Sequence, residues 1–456
     1  MLIEFSVRNF GPIKEEQTLS MVADKGDTLE DYYVVRKGGL RLLKLAMLYG
    51  PNASGKTTIL KALQFLRNIA VQPAEDKSRS LTFMPFEFDS TAQAGSSSIR
   101  IAFLAEEIRH SYTVEFTRDH IVKESMLYYP HGREAELYSR DTEPDKELTR
   151  ISFGSTVEVR KREVDILEGN TIWNTTVLAA FAKTNVDIPA LQRIRNWFLE
   201  TLMPAILPVN NLTDWAVERL EHEPGLKALV TELMRKADVQ ISGIRIEKER
   251  KESDEKSPFA PLATSLVADF SQRYHEAMYS KMDFPRIDRQ RYLPKYQVHF
   301  EHTIQADSQH EKRQYLPASE ESSGTLRYLG LSTLLALLIK RPGVLCIDEI
   351  ETSMHPELIK HFILTFLENS PSSQLILTTH HTALLEERDI LRPDAIWLTQ
   401  KRPDGATELY SVAEFNTNVL RKSSSIANAY RIGKLGAKPN PGSIFLENKN
   451  PGTGLP

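Results

Sequence analysis

The sequence holds one cysteine in 456 residues, no apolar run long enough to span a bilayer, and no surplus of charge of either sign. A lone Cys346 excludes disulfide staples. Its place in the apolar run "GVLCIDE" predicts a small buried core residue in a protein kept in a reducing compartment. The longest apolar stretch, Leu329 to Ile339, falls short of the ~20 residues that a spanning helix needs. With 57 Lys and Arg against 61 Asp and Glu, the net charge of -4 gives no global attraction to nucleic acid or to an anionic membrane. Only a local basic groove remains open. The start, "MLIEFSVRNF", lacks the basic opening and long apolar core of a secretory signal. A cytoplasmic protein without membrane attachment is expected, with room for two or three domains.

What the chain does contain is ordered. "LIEFSVRNFGPIK" alternates apolar and polar residues and turns at Gly11-Pro12, which predicts a strand. "LLKLAMLYG" predicts a second strand that runs straight into a glycine loop, and "KTTILKALQFLRNIA" follows with Ile59, Leu63 and Leu66 at helical spacing. Between about 83 and 130, "FMPFEFDS", "SIRIAFLAE", "HSYTVEFTR" and "IVKESMLYY" read as short strands of an antiparallel subsheet. Beyond them, amphipathic helices such as "PALQRIRNWFLETLMPAI" and "GLKALVTELMRKA" alternate with polar connections, the pattern of an insertion. Within it "RIEKERKESDEK", Arg245 to Lys256, carries five charges of each sign and suits a solvated tip or a partner contact. From 316 an α/β alternation returns: helix "SGTLRYLGLSTLLALLIK", strand "GVLCIDE", helix "PELIKHFILTFLEN", strand "SQLILTTH". Four regions are expected: an N-terminal lobe (1–130), a mostly helical insertion (131–300), a C-terminal lobe (301–440) and a loose tail (441–456).

Four short strings carry chemistry. "GPNASGKT" fits G-x-x-x-x-G-K-[ST] and spans Gly50, Pro51, Asn52, Ala53, Ser54, Gly55, Lys56 and Thr57, with Thr58 next. Glycines let successive backbone N–H groups curl round a β-phosphate, Lys56 reaches the β- and γ-phosphates of ATP, and the Thr57 hydroxyl suits a Mg²⁺ ligand. In a chain this long the string arises by accident about once or twice in a hundred. The flanking strand and helix make accident rarer still. "VLCIDEIE" is an apolar strand ending in two acids, so that Asp348 suits the Mg²⁺ shell and Glu349 the attacking water. "ESSGTLR" places Ser322, Ser323 and Gly324 before an apolar helix, either as a plain serine cap or as an anion site for an ATP held by another subunit. "QLILTTHH" ends a strand in His380 and His381, of which His380, directly after the threonine pair, is favoured as a sensor of the γ-phosphate.

These strings, with "VRNFGPIK", "IDEIETSMHPE", "TTHHTALL" and "YRIGKLGAKP", resemble the ABC-type ATPase heads of the SMC, Rad50 and RecF group, and within it the AAA15 and OLD-like branch. The likeness covers about residues 1 to 130 and 300 to 440. It implies an α/β P-loop ATPase head with an antiparallel β subsheet and a mostly helical insertion. It also implies a homo-oligomer of at least two heads with ATP sandwiched between them, a larger assembly such as a hexamer being compatible. Ser323 and Gly324 would then act in trans, Met354 and His355 of "TSMHPE" would lie near the seam as a D-loop, and Arg8 and Asn9 would contact nucleotide.

The chain departs from that group in three ways. No Q-loop glutamine stands out, since Gln64 falls within the P-loop helix and Gln72 precedes a charged stretch. The insertion is too short and irregular for long heptad arms. The 76 residues after His380 hold no D-x-D pair, so a Toprim nuclease is not expected within the chain. Length and motifs look like the ATPase component of PARIS-type antiphage systems. That likeness implies a regulatory scaffold that controls a separate Toprim nuclease effector and answers a phage-encoded trigger protein. The alternative is a RecF-like repair or recombination ATPase engaged on DNA. For that reading Arg286, Arg289, Arg291 and Lys295, interleaved with Tyr292 and Tyr296, would supply phosphate contacts, although a solvated basic turn accounts for them as well.

Overall fold

The computed structural model describes residues 1–237, 241–248, 296–307, 310–387, 390–415 and 425–439. Its centre is a five-stranded sheet in the order Val344–Ile347, Gln374–Thr379, Leu45–Tyr49, Ile396–Lys401, Thr407–Ser411. The first four strands are parallel and the last pair forms an antiparallel hairpin. Every residue of the three strands at 45–49, 344–347 and 374–379 is buried, as a parallel sheet covered on both faces requires, which is why they read as unbroken apolar runs. Cys346 lies among them, and burial pushes its thiol up to about 12.

Beyond the free edge of Val344–Ile347 the segment 202–206 adds a partial sixth strand. Met203 N–H donates to the Val344 carbonyl and Ile206 N–H to that of Cys346, both at 2.9 Å, and Asp348 N–H returns to the Ile206 carbonyl at 2.8 Å. The sequence gives no sign of this, because "LMPAI" reads as the tail of a helix. That helix instead ends at Asn196, and a π-helical turn, Trp197–Thr201, releases the chain into the sheet.

A second sheet has seven antiparallel strands in the order Leu148–Phe153, Ala135–Glu143, Ile121–Tyr128, Ile108–Phe116, Ser97–Ala105, Leu2–Arg8, Gln17–Ser20. It therefore continues past residue 130, into the region expected to be mostly helical. The reason is a regular alternation of buried and exposed residues through 148–153 that single-sequence reading of a polar stretch passed over. One expected strand is absent. "FMPFEFDS" is a loop, since its backbone pairs with a turn instead of a neighbouring strand: the Met84 carbonyl accepts from Gly11 N–H, and Phe86 N–H donates to Asn9 Oδ1 at 2.9 Å. Phe83 packs against Phe10 at 5.7 Å and Phe116 at 4.8 Å, and Phe86 is buried while Phe88 is exposed. The Gln374 side chain joins the two sheets, accepting from Leu2 N–H and donating to the Leu2 and Leu43 carbonyls.

Between the lobes come helices Lys161–Asn170, Val177–Phe181, Pro189–Asn196, Leu212–His222 and Pro224–Lys236. A three-stranded sheet, Ile241–Lys248, Tyr296–Asp307 and His310–Pro317, follows. The charged run beyond Lys248, the basic cluster Arg286, Arg289, Arg291, Tyr292 and Lys295, and the tail 441–456 lie outside the described residues. Helices Ser323–Lys340 and Pro356–Asn369 begin and end where the sequence placed them. Among the described residues no helix is long and apolar enough to cross a membrane.

Candidate functional site: a P-loop at the ends of three parallel strands

Parallel register puts the functional residues at one end of the sheet. Tyr49 pairs with Thr379 and Met47 with Leu377, and Leu377 pairs with Ile347, so Gly50, His380 and Asp348 emerge side by side. Ligands of open α/β sheets bind at this carboxyl end.

The loop between Tyr49 and Lys56 is shaped by its neighbours. A Cβ on Gly50 would lie 2.4 Å from the Thr399 carbonyl oxygen, and one on Gly55, where φ is 108°, 2.4 Å from Thr407 Oγ1. Only glycine lets the loop lie this close to the strands beside it. Ser54 is buried and hydrogen-bonds Thr399 Oγ1 at 2.6 Å, while Thr407 Oγ1 donates to the Ser54 carbonyl at 2.8 Å. Ser54 thus fixes the loop's shape. Pro51, Asn52 and Ala53 form its outer bend, with Ala53 in the left-handed region at φ 60°.

Lys56 opens the helix Lys56–Val71 and is 5% exposed. Its Nζ donates to the carbonyls of Gly50 at 2.8 Å and Pro51 at 3.0 Å and lies 3.4 Å from His380 Nδ1. Burial pushes its pKa down to about 8, opposed by the charges of Asp348, Glu351 and Glu349. A lysine ammonium only donates, so while Lys56 is charged the His380 Nδ1 must accept and the ring proton sits on Nε2, 3.9 Å from Glu349 Oε1. His380 and Glu349 both keep partly exposed side chains. The His381 N–H donates to Thr379 Oγ1 at 3.0 Å.

Thr57 Oγ1 donates to both carboxylate oxygens of Asp348, at 2.9 and 3.1 Å, across 291 positions of sequence. Asp348 is 2% exposed and also accepts from Thr378 Oγ1 at 2.6 Å. Glu349 follows at φ 46°, a left-handed conformation uncommon for glutamate, with its N–H on Thr378 Oγ1 at 2.8 Å. One carboxylate and one hydroxyl beside a buried lysine make the sparse donor set that Mg²⁺ takes when phosphates and waters complete its shell. The residues therefore fit Mg²⁺, which Thr57 and Asp348 would hold. Thr378, which fixes both acids, and Glu351, whose Oε1 accepts His380 N–H at 2.6 Å, were not singled out from sequence. The signal available was the threonine pair before His380.

Elsewhere the expected residues divide. Ser322 does cap the helix Ser323–Lys340, its Oγ accepting from Thr325 N–H at 3.0 Å. Ser322 and Ser323 are exposed at the tip. A Cβ on Gly324 would lie 2.6 Å from the Ser353 carbonyl oxygen, so that tip rests on the turn before Met354 and His355. Met354 is buried, and His355 is exposed and caps the helix Pro356–Asn369. Among the described residues no hydrogen bond or ion pair links the Ser322–Gly324 tip to the P-loop of its own chain.

Arg8 is exposed, with Nε on Ser98 Oγ at 3.3 Å. Asn9 is turned inward: its amide nitrogen donates to the Ala92 and Ser96 carbonyls while its oxygen accepts from Phe86. These hydrogen bonds tie its side chain to the segment 86–96. Gly11, two residues on, is the part of this turn that meets the P-loop helix, its Cβ position lying 3.2 Å from Thr58 Cγ2. Gln64 accepts Ala205 N–H at 2.7 Å and ties that helix to the partial sixth strand.

Residues 45–386 match a protein family described as "AAA domain, putative AbiEii toxin, Type IV TA system", three quarters of the chain including the P-loop, the two acids and His380. The chain belongs to that family. Its α/β architecture with an antiparallel subsheet is the one anticipated from sequence. Among solved structures it is similar to an SMC head bound to the C-winged helix domain of ScpA. That pair is 13% identical, with a TM-score of 0.41 over 90% of this chain and 97% of the other. It is also similar to the SMC head domain from Thermotoga maritima, again 13% identical, at a TM-score of 0.39 over 90% and 98%. No curated protein matches the chain.

Proposed function

We propose that this AAA-domain chain binds ATP with Mg²⁺ and hydrolyses it to ADP and phosphate between paired heads, as the regulatory component of an antiphage defence system that governs a separate effector. The observation that carries the ATPase reading is the meeting of Thr57 with Asp348 beside the buried Lys56. Thr57 and Asp348 would hold Mg²⁺, which would supply positive charge against the phosphates. Lys56 gives up its carbonyl partners for phosphate oxygens, and the loop's N–H groups cradle the β-phosphate. Glu349, held by Thr378 at the strand's end, takes the proton of the attacking water, and His380 stands between Glu349 and Lys56 where the γ-phosphate leaves.

Two features support pairing. Ser322 and Ser323 are exposed at a helix N-terminus, whose first N–H groups lack intrahelical partners, with Gly324 next to them, and His355 is exposed just beyond the turn that the tip touches. An ATP on an opposing P-loop would satisfy that tip. The defence reading, with a Toprim nuclease as effector and a phage protein as trigger, rests on the sequence resemblance. The family's description adds support, since a toxin–antitoxin system is a pair of components. The decisive assay is Mg²⁺-dependent phosphate release by the purified chain and by Glu349→Gln. A wild-type chain that releases no phosphate and binds no ATP would refute the ATPase, and failure of any nuclease to co-purify from the native host would refute the effector.

A further inference from the structure

The cleft beside the P-loop has a wall that the chemistry above leaves unused. Its cavity volume is about 870 Å³, with Gly50, Pro51, Asn52 and His380 on one side and Arg431 and Lys438 of a C-terminal hairpin on the other. The hairpin is the helix Ile426–Arg431 followed by a turn through Gly433 and Gly436, both at positive φ. Tyr430 Oη donates to the Ala437 carbonyl and Tyr410 Oη to that of Leu435, each at 2.8 Å. Ala437 N–H reaches Gln400 Oε1 at 3.3 Å, and a Cβ on Gly436 would sit 2.7 Å from the same oxygen. Gln400 belongs to Ile396–Lys401, the strand hydrogen-bonded to the P-loop strand. The hairpin is therefore indexed to the P-loop through one strand.

Arg431 and Lys438 line the cleft as exposed residues and, among the described residues, hydrogen-bond neutral groups. Arg431 Nη2 donates to Asn428 Oδ1 at 3.0 Å, and Lys438 Nζ to the Arg431 carbonyl at 2.7 Å. Neither forms an ion pair among the described residues. Glu386 also lines the cleft, and no ion pair joins it to them. Lys56 Nζ, the group that spans the β- and γ-phosphates, is held by the Gly50 and Pro51 carbonyls beside His380, so the cleft opens on the terminal-phosphate side.

Resting on the ATP site proposed above, we infer that Arg431 and Lys438 take the terminal phosphate of the bound triphosphate in cis, so that the C-terminal hairpin distinguishes triphosphate from diphosphate. An arginine fork and a lysine ammonium suit a dianionic phosphoryl group, and each charge-assisted hydrogen bond to it is lost when the γ-phosphate departs. The hairpin then reports hydrolysis to whatever contacts it.

The test is calorimetric binding of a non-hydrolysable ATP analogue and of ADP, both with Mg²⁺, to the full chain and to the double variant Arg431→Gln, Lys438→Gln. Loss of analogue affinity by about 10-fold or more, with ADP affinity unchanged, is the expected result. The swapped variant Arg431→Lys, Lys438→Arg, which keeps both charges, should retain most of the preference, and thermal melting of the free proteins checks that all three are folded. An equal loss for both nucleotides, no loss for either, or a defect confined to pairing of heads overturns the assignment. If the wild-type chain binds neither nucleotide, the ATP site itself falls, and this assignment with it.

Discussion

At Lys56 two demands conflict, burial inside the loop and a positive charge for phosphate. Burial holds its pKa at about 8, below the ordinary 10.5. With the folded value depressed, burying the charged amine costs stability below about pH 8, and the cost fades as pH rises from there towards 10.5. A bound triphosphate favours the charged form, so ATP affinity should fall by about 10-fold between about pH 7 and pH 9.5, while the weak binding left in Lys56→Ala should stay flat. Titration with a fluorescent nucleotide across that range decides it. Glu349 shows a second conflict, because its φ of 46° suits glycine better than glutamate. Glu349→Gln should keep ATP binding and slow turnover by about 10²–10⁴-fold. Glu349→Gly should also abolish turnover yet raise stability by about 0.5–1 kcal/mol in urea denaturation, as relief of the left-handed strain outweighs the added chain entropy. Both acids were legible in "VLCIDE"; the left-handed backbone at Glu349, whose N–H is held by the Thr378 hydroxyl on a neighbouring strand, was not.

Among the elements, the helix Ser323–Lys340 is held at two close approaches. A Cβ at Gly330 would meet Leu212 Cβ at 2.3 Å, where the helix Leu212–His222 crosses it. Gly330→Ala should therefore cost about 1–3 kcal/mol of stability by overpacking, read from the shift of the denaturation midpoint, despite alanine's better helix propensity. Nearer the tip, Gly324→Ala would press on the Ser353 carbonyl and shift the exposed serines. That variant should bind ATP as the wild type does and lose pairing. The ends of this helix and of Pro356–Asn369 were readable because a serine, then a histidine and proline, mark their starts. "FMPFEFDS" misled because its aromatics serve separate contacts, Phe83 in a cluster with Phe65 and Phe116 and Phe86 against Phe88, and not the pleat of a strand.

For the whole molecule, the proposed catalytic unit is two chains, each of which would supply half of each composite site. ATP with Mg²⁺ should convert Glu349→Gln from a smaller to a larger species in light scattering, and adding Ser323→Arg to that variant should prevent the conversion without removing ATP binding. ATP-independent mass, or pairing unaffected by Ser323→Arg, would show that the helix tip is not the seam. The charge balance of the chain, -4 overall, leaves such pairing to local groups and not to net attraction.

By itself the sequence determined the P-loop, the acid pair, the serine-capped helix and the histidine-tipped strand, because each is a contiguous string whose chemistry depends on neighbours along the chain. Tertiary structure alone decided which distant groups meet them. It set Thr57 against Asp348, turned Asn9 inward, brought residues 202–206 to the sheet edge and laid the C-terminal hairpin across from Gly50. The meeting of Thr57 with Asp348 follows from the parallel register of strands 30 and 330 positions apart, and no local pattern encodes a register between them.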